Sequence, residues 1–190
     1  MTSKDKIEPF ERYFVMMKNK DIINAVTTML CNYIPEYFWT IPASSGGKYH
    51  PEFAQGIGGL VRHVQATLII AYELFRNPIV TKFSRDEEDV IFASLILHDT
   101  YKNGLYSSRW TNNFHPQIAA TQFYDGIPRK MLAEPFRSAI YGAIQKHMGP
   151  WGGSKNNKLP LPETELERFT HLCDYIASRQ INPSYIHKIT

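Results

Sequence analysis

No apolar run in this sequence approaches the roughly 20 residues that a helix needs to cross a bilayer. The opening Met1-Thr2-Ser3-Lys4-Asp5-Lys6 leads into no apolar segment, so no secretory signal is expected. Cysteine is scarce: only Cys31 and Cys173 occur in 190 residues, far apart and each inside an apolar stretch. Both read as small core residues of a reduced, cytoplasmic chain. A dominant charge is also missing. The 21 basic and 18 acidic side chains leave +3, too little to demand a nucleic-acid partner and too little to repel phosphates. There is no internal repeat, no low-complexity segment and no convincing period-two alternation, which leaves little basis for strands.

What is present is helical periodicity over a chain long enough for one domain with a real core. The pattern predicts helices over about Pro9–Met17 and Asp21–Tyr33, the latter capped by Asp21. Pro35 to Gly59 carries Pro42, Gly46, Gly47, Pro51, Gly56, Gly58 and Gly59 and reads as a long loop. A helix is expected from Leu60 to Arg76, and another from the Ser84–Glu87 capping box to His98. Lys102–Asn113 reads as loop, and His115–Tyr124 as a short helix with Pro116 in its first turn. Pro128 and Pro135 suggest two successive helix starts, Gly149–Lys158 a loop, and Pro162 the start of a last helix reaching Arg179. The expected fold is all-α, a single helical bundle over residues 1–190.

Several polar residues fall on the apolar faces of these helices. His63 shares a face with Thr67, Ile70 and Leu74, His98 with Leu95 and Ile91, and His147 with Ile144, Ala143, Ile140 and Phe136. Asp99 follows the apolar run Val90–Leu97, and Asp174 lies within Leu172–Ala177. Any one such histidine alone is more often a hydrogen-bonded core residue than a ligand. A carboxylate buried among apolar groups needs a cation or donors. Imidazoles and carboxylates facing inward from different helices are jointly satisfied by a divalent metal, a common arrangement in helix bundles.

The motif order resembles the HD superfamily of metal-dependent phosphohydrolases. Its pattern of His, then His-Asp, then a distant Asp is met by His63, His98–Asp99 and Asp174. Ile96-Leu97-His98-Asp99-Thr100-Tyr101-Lys102 looks like the family's apolar-HD-x-x-K segment, and Gly58-Gly59-Leu60-Val61-Arg62-His63 like the Gly-Gly-Leu-x-x-His of one branch. Leu172-Cys173-Asp174-Tyr175-Ile176 resembles the closing helix, so the resemblance spans about 48 to 179.

The resemblance implies one or two divalent transition-metal ions (Mn, Fe, Co, Ni or Zn). The first would take His63, His98, Asp99 and Asp174; a second would take Asp99 as a bridge with His115 and His147, and His171 is a rival ligand. Asp99 would orient or deprotonate the attacking water, and Lys102, three residues on, would neutralise phosphate charge. Weaker substrate-contact candidates are Lys48, His50, Arg109 and Arg179, with Trp110 and Trp151 as stacking surfaces; His187 reads as solvated. Arg62 is expected to meet phosphate or a carboxylate. Lys48-Tyr49-His50 and Lys146-His147-Met148-Gly149 are similar to HD-type 3′–5′ exoribonucleases and relaxase HD domains, whereas the added histidines and Asp174-Tyr175-Ile176 are similar to HD hydrolases of diadenosine tetraphosphate. The expected activity is hydrolysis of a phosphoester or phosphoanhydride bond in a nucleotide. The alternatives are a 3′–5′ nuclease acting on single-stranded RNA or DNA, and a nucleotide-sensing HD domain without catalysis. No membrane partner is expected, and the sequence leaves the oligomeric state open.

Overall fold

The computed structural model describes residues 1–47, 50–77, 79 and 82–179. Their α-helices are α1 (Ser3–Ile7), α2 (Glu11–Met16), α3 (Lys20–Asn32), α4 (Gly59–Phe75), α5 (Arg85–Leu97), α6 (His115–Gly126), α7 (Glu134–Lys146) and α8 (Glu165–Ala177). Short 3-10 turns occur at Glu8–Phe10, Glu36–Trp39, Glu52–Ala54 and Gly149–Trp151. No strand occurs among the described residues, only a single bridge between Gly153 and Lys158. The all-α expectation holds, and no helix among these residues is long and apolar enough to cross a membrane.

The bundle is organised around α5. Every residue from Asp89 to Leu97 is buried, as expected of a helix that is apolar on all sides. It packs against α3, α4, α7 and α8. Phe75 of α4, Phe83, Phe92 of α5 and Phe169 of α8 meet with ring centroids 5.0–6.2 Å apart. Fully buried Ile91, Leu95 and Ile96 each contribute about 1.5–3 kcal/mol through apolar burial. The capping box forms as expected: Ser84 Oγ accepts from Glu87 N at 3.3 Å, and Glu87 Oε2 accepts from Ser84 N at 2.7 Å.

Some boundaries differ from the sequence reading. The N-cap of α3 is Asn19, whose Oδ1 accepts from the Asp21 and Ile22 amides; Asp21 lies inside the first turn. Asp89 fixes this entry by accepting from the Lys18 and Asn19 amides at 2.8 and 2.7 Å. Pro128 opens a turn and not a helix, whereas Pro135 does sit in the first turn of α7. The final helix starts after Thr164, three residues before Glu167, in a capping box that competes successfully with Pro162.

The entry to α4 sets the site. Gly58 has φ +70°, and a Cβ on Gly59 would lie 2.2 Å from Ala54 O and 3.1 Å from Pro42 Cα. Arg62 then staples the preceding loop: Nε donates to Phe53 O, Nη1 to Ile57 O and Nη2 to Gln55 O, at 2.6, 2.9 and 2.8 Å. The expectation that Arg62 meets a phosphate or a carboxylate is thus corrected, because its donors are spent on backbone carbonyls. Gly59→Ala is expected to destabilise the fold by about 2 kcal/mol or more, since the methyl meets backbone that cannot yield. Denaturant unfolding checks this, and an unchanged midpoint would contradict it.

Candidate metal centre

His63 comes from the second turn of α4, His98 and Asp99 follow α5, His115 opens α6, His147 follows α7 and Asp174 lies on α8. All four of these histidines and Asp99 are fully buried, and Asp174 alone of the six reaches solvent, with 13% of its side chain exposed. Asp99 turns its two oxygens to different partners. Oδ2 lies 3.5 Å from His98 Nε2 and 3.7 Å from His63 Nε2, whereas Oδ1 lies 2.8 Å from His115 Nε2 and 3.5 Å from His147 Nε2. Asp174 Oδ1 completes the first half, 3.0 Å from His63 Nε2 and 3.6 Å from His98 Nε2. Three trios, His63/His98/Asp99, His98/His147/Asp174 and Asp99/His115/His147, each place ligand atoms within 4.8 Å of one another.

Backbone contacts decide which ring nitrogen faces the cluster. His98 Nδ1 donates to Leu95 O, His115 Nδ1 to Asn112 O and His147 Nδ1 to Ile144 O, each at 2.7 Å. A carbonyl only accepts, so the ring proton sits on Nδ1, and Nε2 of a neutral ring is an unprotonated lone pair. Burial, reinforced by the Lys102 ammonium, pushes His115 down to about 4. Burial also holds His147 below its usual value. Both rings are therefore neutral near pH 7, yet their Nε2 atoms stand 3.2 Å apart. Two lone pairs that close repel unless a cation lies between them. His98 Nε2 and Asp99 Oδ1 are likewise buried without a well-formed hydrogen bond, a cost of about 1–3 kcal/mol each if nothing else meets them.

The donor set fits a divalent ion. Metal bonds of about 2.1 Å separate neighbouring ligand atoms by about 3.0–3.4 Å, and the carboxylate–imidazole spacings here run from 2.8 to 3.7 Å. Burial works against ionisation of Asp99, but Lys102 and His98 outweigh it and hold the carboxyl well below its usual range. Asp174 is likewise held low, burial being outweighed by hydrogen bonds and charge from His63 and His98. For His98, burial opposes the charged form, and Asp99 and Asp174 overcome it, leaving its pKa raised. Lys102 is buried, with Nζ 2.7 Å from Asp99 Oδ2. With His98 neutral, as a metal ligand must be, two ionised carboxylates and one ammonium leave the cluster one negative charge, suited to a divalent cation.

The other candidates divide. His50 is buried against the centre, its ring 4.7 Å from that of His63 and nearly perpendicular to it. Lys48 and His187 lie outside the described residues. Arg109 sits in an exposed loop with its guanidinium 5.1 Å above the Trp110 ring, and among the described contacts none joins it to the cluster. Arg179 is exposed and lies 4.5 Å from the Tyr175 ring centre. His171 is displaced from the ligand role: its Nδ1 donates to His147 O at 2.6 Å, so it holds the backbone of a ligand. Cys173 is core, its thiol pushed up by burial. Two surface hollows of about 390 and 370 Å³, near Arg62 and near Tyr141, contain none of the six side chains.

In the metal-free protein the depressed histidines set a pH dependence. His115 titrates at about 4 in the fold and near 6.5 when unfolded. His50, pushed down to about 3 chiefly by burial, acts with the same sign. Below pH 6.5 the unfolded chain binds more protons, so this stability is complete above about 6.5 and is lost as pH falls toward 4. His98 acts in the opposite sense and is outnumbered. Melting temperature of chelator-treated protein is expected to fall steadily from pH 7 to pH 5; a rise would contradict the assignment. Comparison of the chain with family models, with curated proteins and with solved structures produced no match, so the reading of this centre rests on its own geometry.

Proposed function

We propose that the chain is a metal-dependent phosphohydrolase of the HD type, acting on a nucleotide or a related small phosphate compound. The observation that carries this reading is the Asp99 carboxylate, which faces one histidine pair with each oxygen. That is the arrangement expected of a carboxylate bridging two cation positions. The mixed imidazole and carboxylate set suits Mn, Fe, Co, Ni or Zn better than Mg or Ca, which favour all-oxygen shells.

His63, His98, Asp99 and Asp174 would hold one ion, and Asp99, His115 and His147 a second. When bound, such ions lower the pKa of water toward neutrality and stabilise charge on a phosphoryl oxygen. The protein supplies the rest. Lys102, oriented by Asp99, offers a compact positive charge to a phosphate arriving at the cluster. The Nδ1 contacts to Leu95, Asn112 and Ile144 keep the imidazoles from rotating. The near-complete burial of the six side chains, with Asp174 13% exposed, supports a small substrate over a polymer.

The purified protein is expected to carry one to two equivalents of a divalent transition metal by elemental analysis. With Mn²⁺ added, it should release product from at least one member of a nucleotide panel while leaving a labelled oligonucleotide intact. Asp99→Asn should lower that rate by about 100-fold or more and reduce metal content. Lys102→Gln should retain metal but lose about 10²–10³ in kcat/KM. Turnover that survives Asp99→Asn would sink the proposal. Cleavage of the oligonucleotide alone would favour the nuclease, and bound metal with no turnover would favour a sensor.

A further inference from the structure

Three aromatic rings group beside the cluster, and none of them is among its six side chains. The Trp151 and Tyr175 rings lie 5.5 Å apart with planes only 10° from parallel, and the His171 ring lies 5.9 Å from Trp151 at 30°. The His171 and Tyr175 rings are themselves 6.2 Å apart at 40°, so the three centroids form a triangle, and the Arg179 guanidinium lies 4.5 Å from the Tyr175 centroid. His171, Tyr175 and Arg179 follow one another at four-residue spacing along α8 and its exit, so they share one face. Trp151 nevertheless remains 54% exposed and Tyr175 36% exposed.

Two features tie this group of rings to the candidate metal centre. His171 Nδ1 donates to the carbonyl of His147. Gly149 then carries the chain over that imidazole with φ +54°, where a Cβ would stand 2.6 Å from His171 Cε1. This close pass places Trp151, at the end of the following 3-10 turn, against Tyr175. Tyr175 is the direct neighbour of Asp174, the one ligand of the six that reaches solvent. The rings thus lie along the same stretch of α8 as Asp174, whose side chain is 13% exposed. The exposed, nearly parallel Trp151 and Tyr175 rings, with a guanidinium beside Tyr175, suit a further flat π system, because bases stack on indole and phenol faces regardless of sequence.

We propose that Trp151, Tyr175 and Arg179 form the seat for the aromatic base of the substrate, whose phosphate lies at the metal cluster. This rests on the phosphohydrolase reading and narrows its substrate to nucleotides bound through the base. The base extends the stack on Trp151, and Arg179 holds the Tyr175 ring in place.

Binding to the metal-loaded protein tests this without turnover. The probes are the four nucleoside monophosphates, adenosine and ribose 5-phosphate, followed by calorimetry and by tryptophan fluorescence in a Trp110→Phe background. At least one nucleoside monophosphate, and adenosine, should quench the fluorescence saturably, and ribose 5-phosphate should not. Trp151→Ala should weaken nucleotide binding about ten-fold or more, Trp151→Phe should restore most of it, and ribose 5-phosphate binding should not change. Arg179→Gln, a surface change, should weaken the nucleotide in the same sense by a smaller factor. Equal affinity in the parent and Trp151→Ala, or no base-dependent binding by any probe, overturns the proposal. Hydrolysis of nucleotide and ribose 5-phosphate at equal rates, insensitive to Trp151→Ala, sinks the base seat and leaves the hydrolase standing. Base-dependent binding without any turnover does the reverse.

Discussion

The centre depends on a repulsion that the protein does not relieve by itself. His115 and His147 each commit their one ring proton to a backbone carbonyl and turn bare nitrogens toward each other. Burial keeps both rings from taking a second proton near neutrality. Asp99, ionised and fully enclosed, sits against the same pair. A positive charge among these groups would make the arrangement favourable, and Lys102 supplies half of what two carboxylates require.

The hydrogen bonds that orient the imidazoles also finish the helices. His98 and His147 are the C-caps of α5 and α7, and their Nδ1 atoms satisfy carbonyls of the last turn, Leu95 O and Ile144 O. Last-turn carbonyls commonly lack intrahelical donors, and Ile144 O otherwise receives only the His147 N–H, at 3.4 Å. One contact therefore ends a helix, selects a tautomer and aims a lone pair. The same placement sets the negative ends of two helix dipoles toward the cluster, which favours a cation there by about 0.3–1 kcal/mol each. The rigidity of α5, buried on every side, carries this aim into the site.

Much of this was legible in the chain. Histidines at helical spacing on apolar faces, and an aspartate closing an apolar run, pointed to His63, His98, Asp99, His147 and Asp174, and the structure gathers all five with His115. The Ser84–Glu87 box was readable because capping is local. The Thr164–Glu167 box carried the same signal, but Pro162 upstream obscured it. What could not be read depended on distant backbone. His171 lies three residues from Asp174, as a ligand would, yet its ring is claimed by a carbonyl that only folding brings near. Arg62, too, meets carbonyls of a loop whose path follows from the crowding at Gly59. Arg109 shows the converse: a charged residue near a motif in sequence, but on an exposed loop in space.

Most of the ligands stand where a helix meets a connection and not in mid-helix. Residues 100–114 leave directly from Asp99 and arrive at His115, and residues 148–164 leave from His147. The walls around the centre are thus drawn from segments that can change length or composition without shifting the α5 and α7 frames. Loop insertions are thermodynamically mild, at about 0.6 kcal/mol for each doubling of length. Such a scaffold can change what surrounds the cluster while the His/Asp geometry that could hold an ion stays put, because the two are carried by different parts of the chain.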